Sequence, residues 1–427
     1  MRFLKLTAAI SLTCLMAGSA FGSGFLIPEQ GAKASAMAGA FAATADDPSA
    51  IFYNPAGIAQ QRDGLSVLAG TTIINFNNQF TGDPNSEVTA GVTGEYNRHT
   101  FNIPNMYAVL PIGHNLTLGV GVFAAFGLRT DWEDPFPGRY ISKDADLKTT
   151  SVNPVVAWQT ADGRIAIGGG VEYRRARVIL NANRMALNPF NGRISDVANT
   201  RLVSDYGDSI GWNAGILFKP TNMIRLGASY RAAMDIDLEG EAEISQIFTG
   251  IPQFDAVIGA QLPPDQRINT KFPFPSVATV GVAVSPNDNW DVELDVMRTG
   301  WSRFEALAVN FETTPSSSFV REQNWEDSTS YRLGVNHNAT ANWDVRFGAL
   351  YDENPQPIES VSPLLPDSDR IGASIGAGWH AGPLMIDGSV LVLHFKDRNT
   401  RGQNAEGFNG EYETDALLWS INAGYRF

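Results

Sequence analysis

The side chains with the richest chemistry are few and scattered along this sequence. It contains five histidines and a single cysteine: His99, His114, His337, His380, His394 and Cys14. None of the histidines belongs to an HExxH or GxSxG pattern, the spacings used by metal-dependent and serine hydrolases. No metal-ligand spacing occurs either. We therefore expect no catalytic residue, no metal and no cofactor, and we do not expect the protein to be an enzyme.

The first 22 residues have the pattern of a secretory signal peptide. Arg2 and Lys5 give a positive start, residues 6–17 are mostly apolar, and Ala20-Phe21-Gly22 provides a small-x-small cleavage site. Cys14 lies inside this segment and would be removed with it. The exported protein is therefore expected to have no disulfide and no thiol chemistry.

The charge and hydropathy of the chain exclude two further classes. The net charge is −14, and loss of Arg2 and Lys5 would make it more negative. Nucleic-acid binding needs a basic face, so no nucleic-acid partner is expected. After residue 22 no apolar run reaches the roughly 18 residues that a membrane-spanning helix needs.

Apolar and polar residues alternate with period two in many segments. The last segment is a clear example, with one apolar face formed by Leu417, Trp419, Ile421, Ala423, Tyr425 and Phe427. Similar alternation occurs near residues 165–174, 224–231, 290–296, 343–351 and 371–379, and the polar faces there carry many charges. A dry core does not tolerate unpaired charges, whereas a water-lined interior does. The pattern predicts transmembrane strands with lipid on one side and a polar lumen on the other.

The connections alternate between short and long. Six short turns carry Gly, Pro, Asn or Asp, at residues 111–115, 160–163, 219–222, 285–289, 337–342 and 380–383. Seven longer stretches separate them, at residues 78–96, 128–149, 180–207, 238–275, 312–329, 352–369 and 396–414. Together they predict a fourteen-stranded antiparallel β-barrel over residues 63–427, in the outer membrane of a Gram-negative bacterium.

An Ala- and Gly-rich segment, residues 23–62, precedes the first strand. A fourteen-stranded barrel is too wide to be filled by its own side chains. We expect this segment to be a small, partly helical hatch inside the lumen, because small residues allow close approach to the wall. The alternative is a loose periplasmic tail.

Several motifs are similar to those of a known family. They are Gly24-Phe25, "ADDPSAIFYNPAGI", "FGLRTDWEDPFPGRY", "VNPVVAW", Trp301-Ser302, "YDENPQP", "PDSDRIGASIGAG" and the terminal "GYRF". In this order they resemble the long-chain fatty acid transporter (FadL) family of outer-membrane proteins, which includes importers of aromatic hydrocarbons. The resemblance implies uptake of hydrophobic compounds through external loops, an internal pocket, a movable hatch and lateral release into the membrane.

The resemblance also implies site residues. Phe25 matches an aromatic residue of the hatch that contacts ligand, and Asn54, Pro55 and Ala56 match a turn at a lateral gap in the wall. Arg321 lies where fatty-acid importers place a basic residue, whereas Leu180 stands where a second would be expected. This departure leaves neutral hydrocarbons open as ligands. Arg177, which lies near the rim with Arg175, is the other candidate for holding a carboxylate.

Two loops carry apolar residues suited to ligand capture. The first contains Trp132, Phe136 and Tyr140, and the second contains Ile247, Phe248 and Phe254 at nearly helical spacing interrupted by Pro252. Exposed on external loops, such residues would form a binding groove. The alternative is that they only pack the loops together.

Three other functions remain open on these patterns. The protein could import neutral aromatic or aliphatic hydrocarbons instead of fatty acids, act as a general porin, or be a lipase with a Ser, a His and an acid at the membrane edge. Outer-membrane lipid and lipopolysaccharide are the expected surroundings. A monomer is expected, because the barrel closes on one chain.

Overall fold

The computed structural model describes residues 24–97, 99–113 and 115–427, so the predicted signal peptide, Ser23 and His114 lie outside the described residues. Within them, fourteen long strands form an antiparallel barrel. In chain order they are β1 (Ser66–Gly82), β2 (Thr100–Gly113), β3 (Leu116–Phe123), β4 (Asp144–Gln159), β5 (Ile165–Asn188), β6 (Gly207–Phe218), β7 (Ile224–Arg231), β8 (Val277–Asn287), β9 (Trp290–Thr299), β10 (Ser328–Asn338), β11 (Trp343–Asp352), β12 (Arg370–Ala381), β13 (Leu384–Phe395) and β14 (Gly410–Arg426).

The last strand closes the barrel on the first. β14 pairs with β1 over the full length of both, from Ser66 opposite Arg426 to Gly82 opposite Gly410. Each other strand pairs with its neighbours in chain order. Closure satisfies the backbone groups that an open edge would expose to lipid. The fourteen-stranded barrel predicted from the alternation is confirmed.

As predicted from the alternation, apolar side chains of the wall face outward and charged ones face the lumen. Outward-facing Ile210, Trp212, Ile421 and Trp419 are exposed, whereas inward-facing wall charges such as Arg346 are fully buried. None of the helices among the described residues is long and apolar enough to cross a bilayer.

Several long loops contain regular structure that the sequence did not indicate. Additional strands span Thr93–Glu95, Gly127–Asp131, Arg193–Ser204, Met234–Gln246, Gln266–Phe274, Ala306–Phe311, Phe319–Glu322 and Arg398–Asn399. Short 3-10 helices span Pro137–Tyr140, Trp301–Arg303, Pro315–Ser317 and Ile358–Ser360. Here hairpins continue the wall strands and complete one another's backbone hydrogen bonds, as between Met234–Gln246 and Arg193–Ser204.

The hatch, residues 24–62, fills the lumen. It contains α1 (Ala32–Ala36), α2 (Ala50–Tyr53) and a 3-10 helix (Pro55–Gln60). Its alanines are buried against the wall, and α1 packs against β12 and β13 while the 3-10 helix packs against β4, β5 and β6. Contacts on opposite sides of the barrel confirm the hatch prediction and exclude a loose tail for the described part of the segment.

One further helix, α3 (Pro252–Gln261), lies in the loop between β7 and β8. Proline favours the first turn of a helix, where its missing N–H costs nothing. The helix therefore begins at Pro252, and Ile247 and Phe248 precede it. The nearly helical spacing is thus interrupted at Pro252, and of the three residues only Phe254 lies in the helix.

Candidate functional site

The barrel wall has a gap between β2 and β3. The two strands pair from the short turn that joins them as far as Met106 opposite Val122. Pairing resumes only at Tyr96 opposite Trp132. Among the described residues, no backbone hydrogen bond joins 100–105 to 123–130. The six residues 100–105 of β2 thus have no strand partner on this side, although β1 pairs with them on the other. They correspond to a window of about 20 Å along the strand.

The window exists because the chain after β3 pairs with the start of the hatch instead of with β2. The Ile27 N–H donates to the Ala125 carbonyl at 2.9 Å, and the Gly127 N–H donates to the Phe25 carbonyl at 3.0 Å. The Gln30 side chain adds a hydrogen bond to the Ala124 carbonyl at 2.7 Å. The start of the hatch thus takes the hydrogen bonds that β2 would otherwise form. We call the segment after β3, residues 124–127, the kink.

A cavity of about 690 Å³ reaches this window from inside. Apolar side chains of the hatch, the kink and the wall dominate its surface: Leu26, Ile74, Phe76, Phe101, Ile103, Phe123, Phe126, Leu128, Leu147, Leu393, Phe395 and Leu418. Its volume falls within the roughly 300–1,000 Å³ of small-molecule sites. An apolar molecule of that size would be removed from water here.

Charged groups also line the cavity, and each cation has an acid partner. Arg370 pairs with Asp352 at 2.8 Å, and Lys148 pairs with Asp146 at 3.0 Å. Asp367, in the loop before β12, accepts a hydrogen bond from the Gly24 N–H at 2.8 Å. Burial raises the pKa of Asp367 to about 6, although Arg370 opposes the shift. The first described residue of the hatch is therefore held at the cavity by a carboxyl group.

Phe25 lies in a cage of aromatic rings beside the cavity. Its ring centroid is 4.5 Å from that of Trp301 and 5.5 to 6.3 Å from the other five rings, which belong to Phe126, Phe272, Phe274, Phe304 and Trp325. Its side chain is 3% exposed. Such ring pairs contribute beyond their buried area. In this structure the cage is occupied by the protein's own hatch.

Two wall carboxylates hold the middle of the hatch. Glu293 and Asp295 lie two residues apart on β9 and face inward. Asp295 accepts hydrogen bonds from the N–H groups of Phe41 and Ala42, and Glu293 accepts from those of Ala43 and Thr44, at 2.6 to 3.0 Å. Apart from Trp301, which belongs to a quoted motif, neither these acids nor the aromatic residues of the cage were singled out from the sequence. The period-two pattern predicts that Glu293 and Asp295 face inward, but it does not indicate which groups they bind.

The Asn54-Pro55-Ala56 turn lies against the wall at β5 and β6. The Asn54 amide donates to the carbonyls of Ala42 and Ile216 at 2.7 and 3.1 Å, and its oxygen accepts from the Ala56 N–H. Wall glycines make room for the turn, and a Cβ at Gly215 would overlap the Asn54 oxygen. None of the three turn residues lines the window cavity. The structure thus separates this turn from the gap, which is formed by residues 100–105 and the kink.

Comparison with known proteins decides the family. The model of the family described as "Outer membrane protein transport protein (OMPP1/FadL/TodX)" matches residues 13–427, almost the whole chain. The chain belongs to the OMPP1/FadL/TodX family.

Curated relatives of the chain are distant in sequence, and the match covers almost all of one and three quarters of another. The chain is 25% identical to a long-chain fatty acid transport protein of Salmonella typhi over 450 residues, covering 100% of this chain and 99% of the relative. It is also 25% identical to outer membrane protein P1 of Haemophilus influenzae over 358 residues, covering 76% and 75%. The chain is therefore an outer-membrane transporter of hydrophobic compounds.

Solved structures of the family show the same fold. A Pseudomonas aeruginosa FadL homologue superposes with a TM-score of 0.82 at 22% identity, covering 95% of this chain and all of that one. The Pseudomonas putida toluene transporter TodX gives 0.73 at 17% identity, covering 96% and 100%.

The loop residues predicted to capture ligand lie in different surroundings. Trp132 and Phe136 stack with centroids 4.1 Å apart in a closed cluster with Phe80 and Phe408, and both are 2% exposed. Phe254 is buried against Val197, with the partly buried Ile251 packed on them. Ile247 is half-buried, and its N–H donates to the Val197 carbonyl. Phe248 is 76% exposed. In this family member, the predicted groove residues are thus mostly packed within the loops.

The two predicted arginines do not line the window cavity. Arg321 pairs with Glu406 at 2.9 Å. Arg177 donates to the Ser204 carbonyl at 3.1 Å. Leu180 packs against the apolar core. The structure does not bring Arg177 and Arg321 together around the cavity of this family member.

Proposed function

We propose that this protein imports long-chain fatty acids across the outer membrane. The observation that carries the proposal is the cavity of about 690 Å³ whose apolar lining continues into the window between β2 and the kink. An alkyl chain in this cavity avoids water, which favours it by roughly 0.8 kcal/mol for each CH2 group. The full-length similarity to long-chain fatty acid transport proteins supports this choice of ligand.

The hatch would control passage. Residues 25–27 are hydrogen-bonded to the kink and their side chains line the cavity or the cage. A ligand in the cavity therefore meets the hatch before it reaches the periplasmic side. We propose that movement of residues 25–27 releases the ligand sideways through the window, with the Asn54-Pro55-Ala56 turn holding the remainder of the hatch on the wall. Phe248, exposed on its loop, is the proposed first contact for ligand.

Neutral hydrocarbons are the second candidate, and a specific observation favours them. The three cations at the cavity, Arg129, Lys148 and Arg370, are already paired with acids. The predicted Arg177 and Arg321 lie elsewhere. A cavity without an available cation would suit an uncharged molecule such as an aromatic hydrocarbon.

Binding measurements on the detergent-purified protein test these alternatives. We expect labelled oleate to bind saturably, and we expect it to compete with oleyl alcohol, which has the same chain without the charge. Saturable binding of toluene with no binding of oleate would overturn the fatty-acid assignment and leave the hydrocarbon candidate. Free passage of sugars through reconstituted protein would contradict both, because a filled lumen should not conduct them.

A further inference from the structure

A buried charge cluster lies behind the wall of the cavity. Arg174 on β5 and Arg231 on β7 both contact the Glu172 carboxylate, Arg174 at 2.6 Å. Arg174 and Glu172 are fully buried, and Arg231 is 6% exposed. Ser151 donates a hydrogen bond to Glu172 at 2.7 Å. The cluster is held on the inner side of the barrel wall.

The cluster has one positive charge more than it has negative charges. Among residues 24–97, 99–113 and 115–427, Glu172 is the only acid that forms an ion pair with either arginine. The Nη1 atom of Arg174 has no hydrogen-bond partner in this part of the chain. A buried charge without a partner is strongly unfavourable, so the site favours an anion.

Only one layer of aromatic rings separates the excess charge from the cavity. The Arg174 guanidinium lies 4.6 Å from the ring centroid of Phe126, and that of Arg231 lies 5.2 Å from the ring of Phe123. Both rings line the cavity. The electron-rich ring faces stabilise the cations in part, but they provide no acceptor for a guanidinium N–H.

A second, small cavity gives the cluster room for a head group. It has a volume of about 50 Å³ and is bordered by Arg231, Phe52 and Ala125. Asp295 and Arg332 also border it, whereas Arg174 lies behind the ring of Phe126. Leu26 of the hatch borders both this cavity and the large one. Leu26 also forms the bridge to Phe126 at the kink. A movement of the hatch that displaces Leu26 would therefore join the two cavities and uncover the arginines.

We propose that Arg174 and Arg231 form an inner binding site for the carboxylate of an amphipathic ligand, reached when Leu26 and Phe126 move. This inference rests on the proposed fatty-acid function. The alkyl chain would remain in the large cavity while the carboxylate replaces the missing negative charge of the cluster. The site differs from the rim arginines Arg177 and Arg321 predicted from the sequence.

Paired ligands test the site, because oleate and oleyl alcohol differ only in the head group. The wild-type protein is expected to bind oleate more tightly than oleyl alcohol. R174M should lose at least about tenfold in oleate affinity, the size expected for hydrogen bonds to a charged group, and keep its affinity for the alcohol. R174K should retain part of the preference. R164M, at an exposed arginine just before the same strand, should keep the wild-type ratio.

An unchanged oleate preference in R174M would overturn the inner site and leave fatty-acid uptake standing. Absence of oleate binding in the wild type would instead overturn the proposed function. If R174M does not fold, F126A replaces it. Removing the ring that covers Arg174 should strengthen oleate binding at least about threefold relative to the alcohol, and an unchanged ratio would contradict the site.

Discussion

The Asp295 carboxylate of the barrel wall accepts hydrogen bonds from the N–H groups of Phe41 and Ala42 in the hatch, at 2.8 and 2.9 Å. A wall acid on β9 thus replaces water as the partner of hatch backbone deep inside the lumen. The adjacent Glu293 does the same for the next two residues. The hatch is held by its backbone here, which allows its side chains to remain small.

Removing the Asp295 carboxylate should loosen the hatch. Each buried hydrogen bond contributes about 0.5–1.5 kcal/mol, so Asp295→Ala is expected to raise the single-channel conductance in planar bilayers. Asp291→Ala is the matched control, because Asp291 is on the same strand but bonds to Ser285 and Arg225. Equal conductance in the two variants would show that Asp295 does not retain the hatch.

A methyl group at Gly215 should push the Asn54-Pro55 turn off the wall. Its Cβ would overlap the Asn54 oxygen and lie 3.0 Å from the Pro55 Cδ. We expect Gly215→Ala to lower the unfolding temperature in detergent and to increase conductance. Gly388→Ala is the control in another wall strand, where the nearest atom is 3.9 Å away. Similar behaviour of both variants would show that the close approach of the turn is unimportant.

Filling the window should block release without abolishing binding. Ala124 lies at the kink and borders the cavity. Ala124→Trp is expected to reduce oleate uptake by cells at least about tenfold, because the ring occupies the gap, while the purified protein still binds oleate. Ala373→Trp, on the exposed face of β12, should leave uptake unchanged. Normal uptake by Ala124→Trp would argue for an exit elsewhere.

Truncation of Phe25 should destabilise the hatch and enlarge the apolar space. Loss of a buried phenylalanine side chain costs about 3–5 kcal/mol. The cage left empty by Phe25→Ala should then accept a small aromatic molecule, so toluene is expected to raise the unfolding temperature of the variant more than that of the wild type. An equal toluene effect on both proteins would mean that the cage collapses.

Asp367 predicts a pH dependence of stability. Because burial raises its pKa from 3.8 to about 6, the folded protein binds this proton more tightly than the unfolded chain. The resulting stabilisation is fully present below about pH 4 and is lost as the pH rises through 6. The free energy of unfolding of the wild type should therefore rise by up to about 3 kcal/mol, relative to that of Asp367→Asn, when the pH is lowered from 7 to 4. Urea unfolding in detergent at several pH values measures this, and a constant difference would contradict it. Burial also raises the pKa of Asp47 to about 6, but Asp47 is present in both proteins, so its contribution to the difference cancels.

The barrel and its hatch could be predicted from local patterns. Period-two alternation, as in residues 417–427, indicates which face of a strand contacts lipid. Successive side chains point to opposite faces, so each residue type reflects the surroundings of its own face. The alternation of short and long connections then fixed the strand number. The small residues of 23–62 indicated a segment enclosed by the wall.

Only the tertiary structure decided what the inward side chains do. Arg174, Glu293 and Asp295 follow the same alternation as any other inward polar residue, yet one faces a cavity ring and two hold the hatch backbone. The window likewise depends on residues 25–27 replacing β2 as the partner of the kink, about 100 positions away in the chain. Such contacts join residues far apart in sequence, so no local pattern records them, and the long-range packing of hatch against wall determines them.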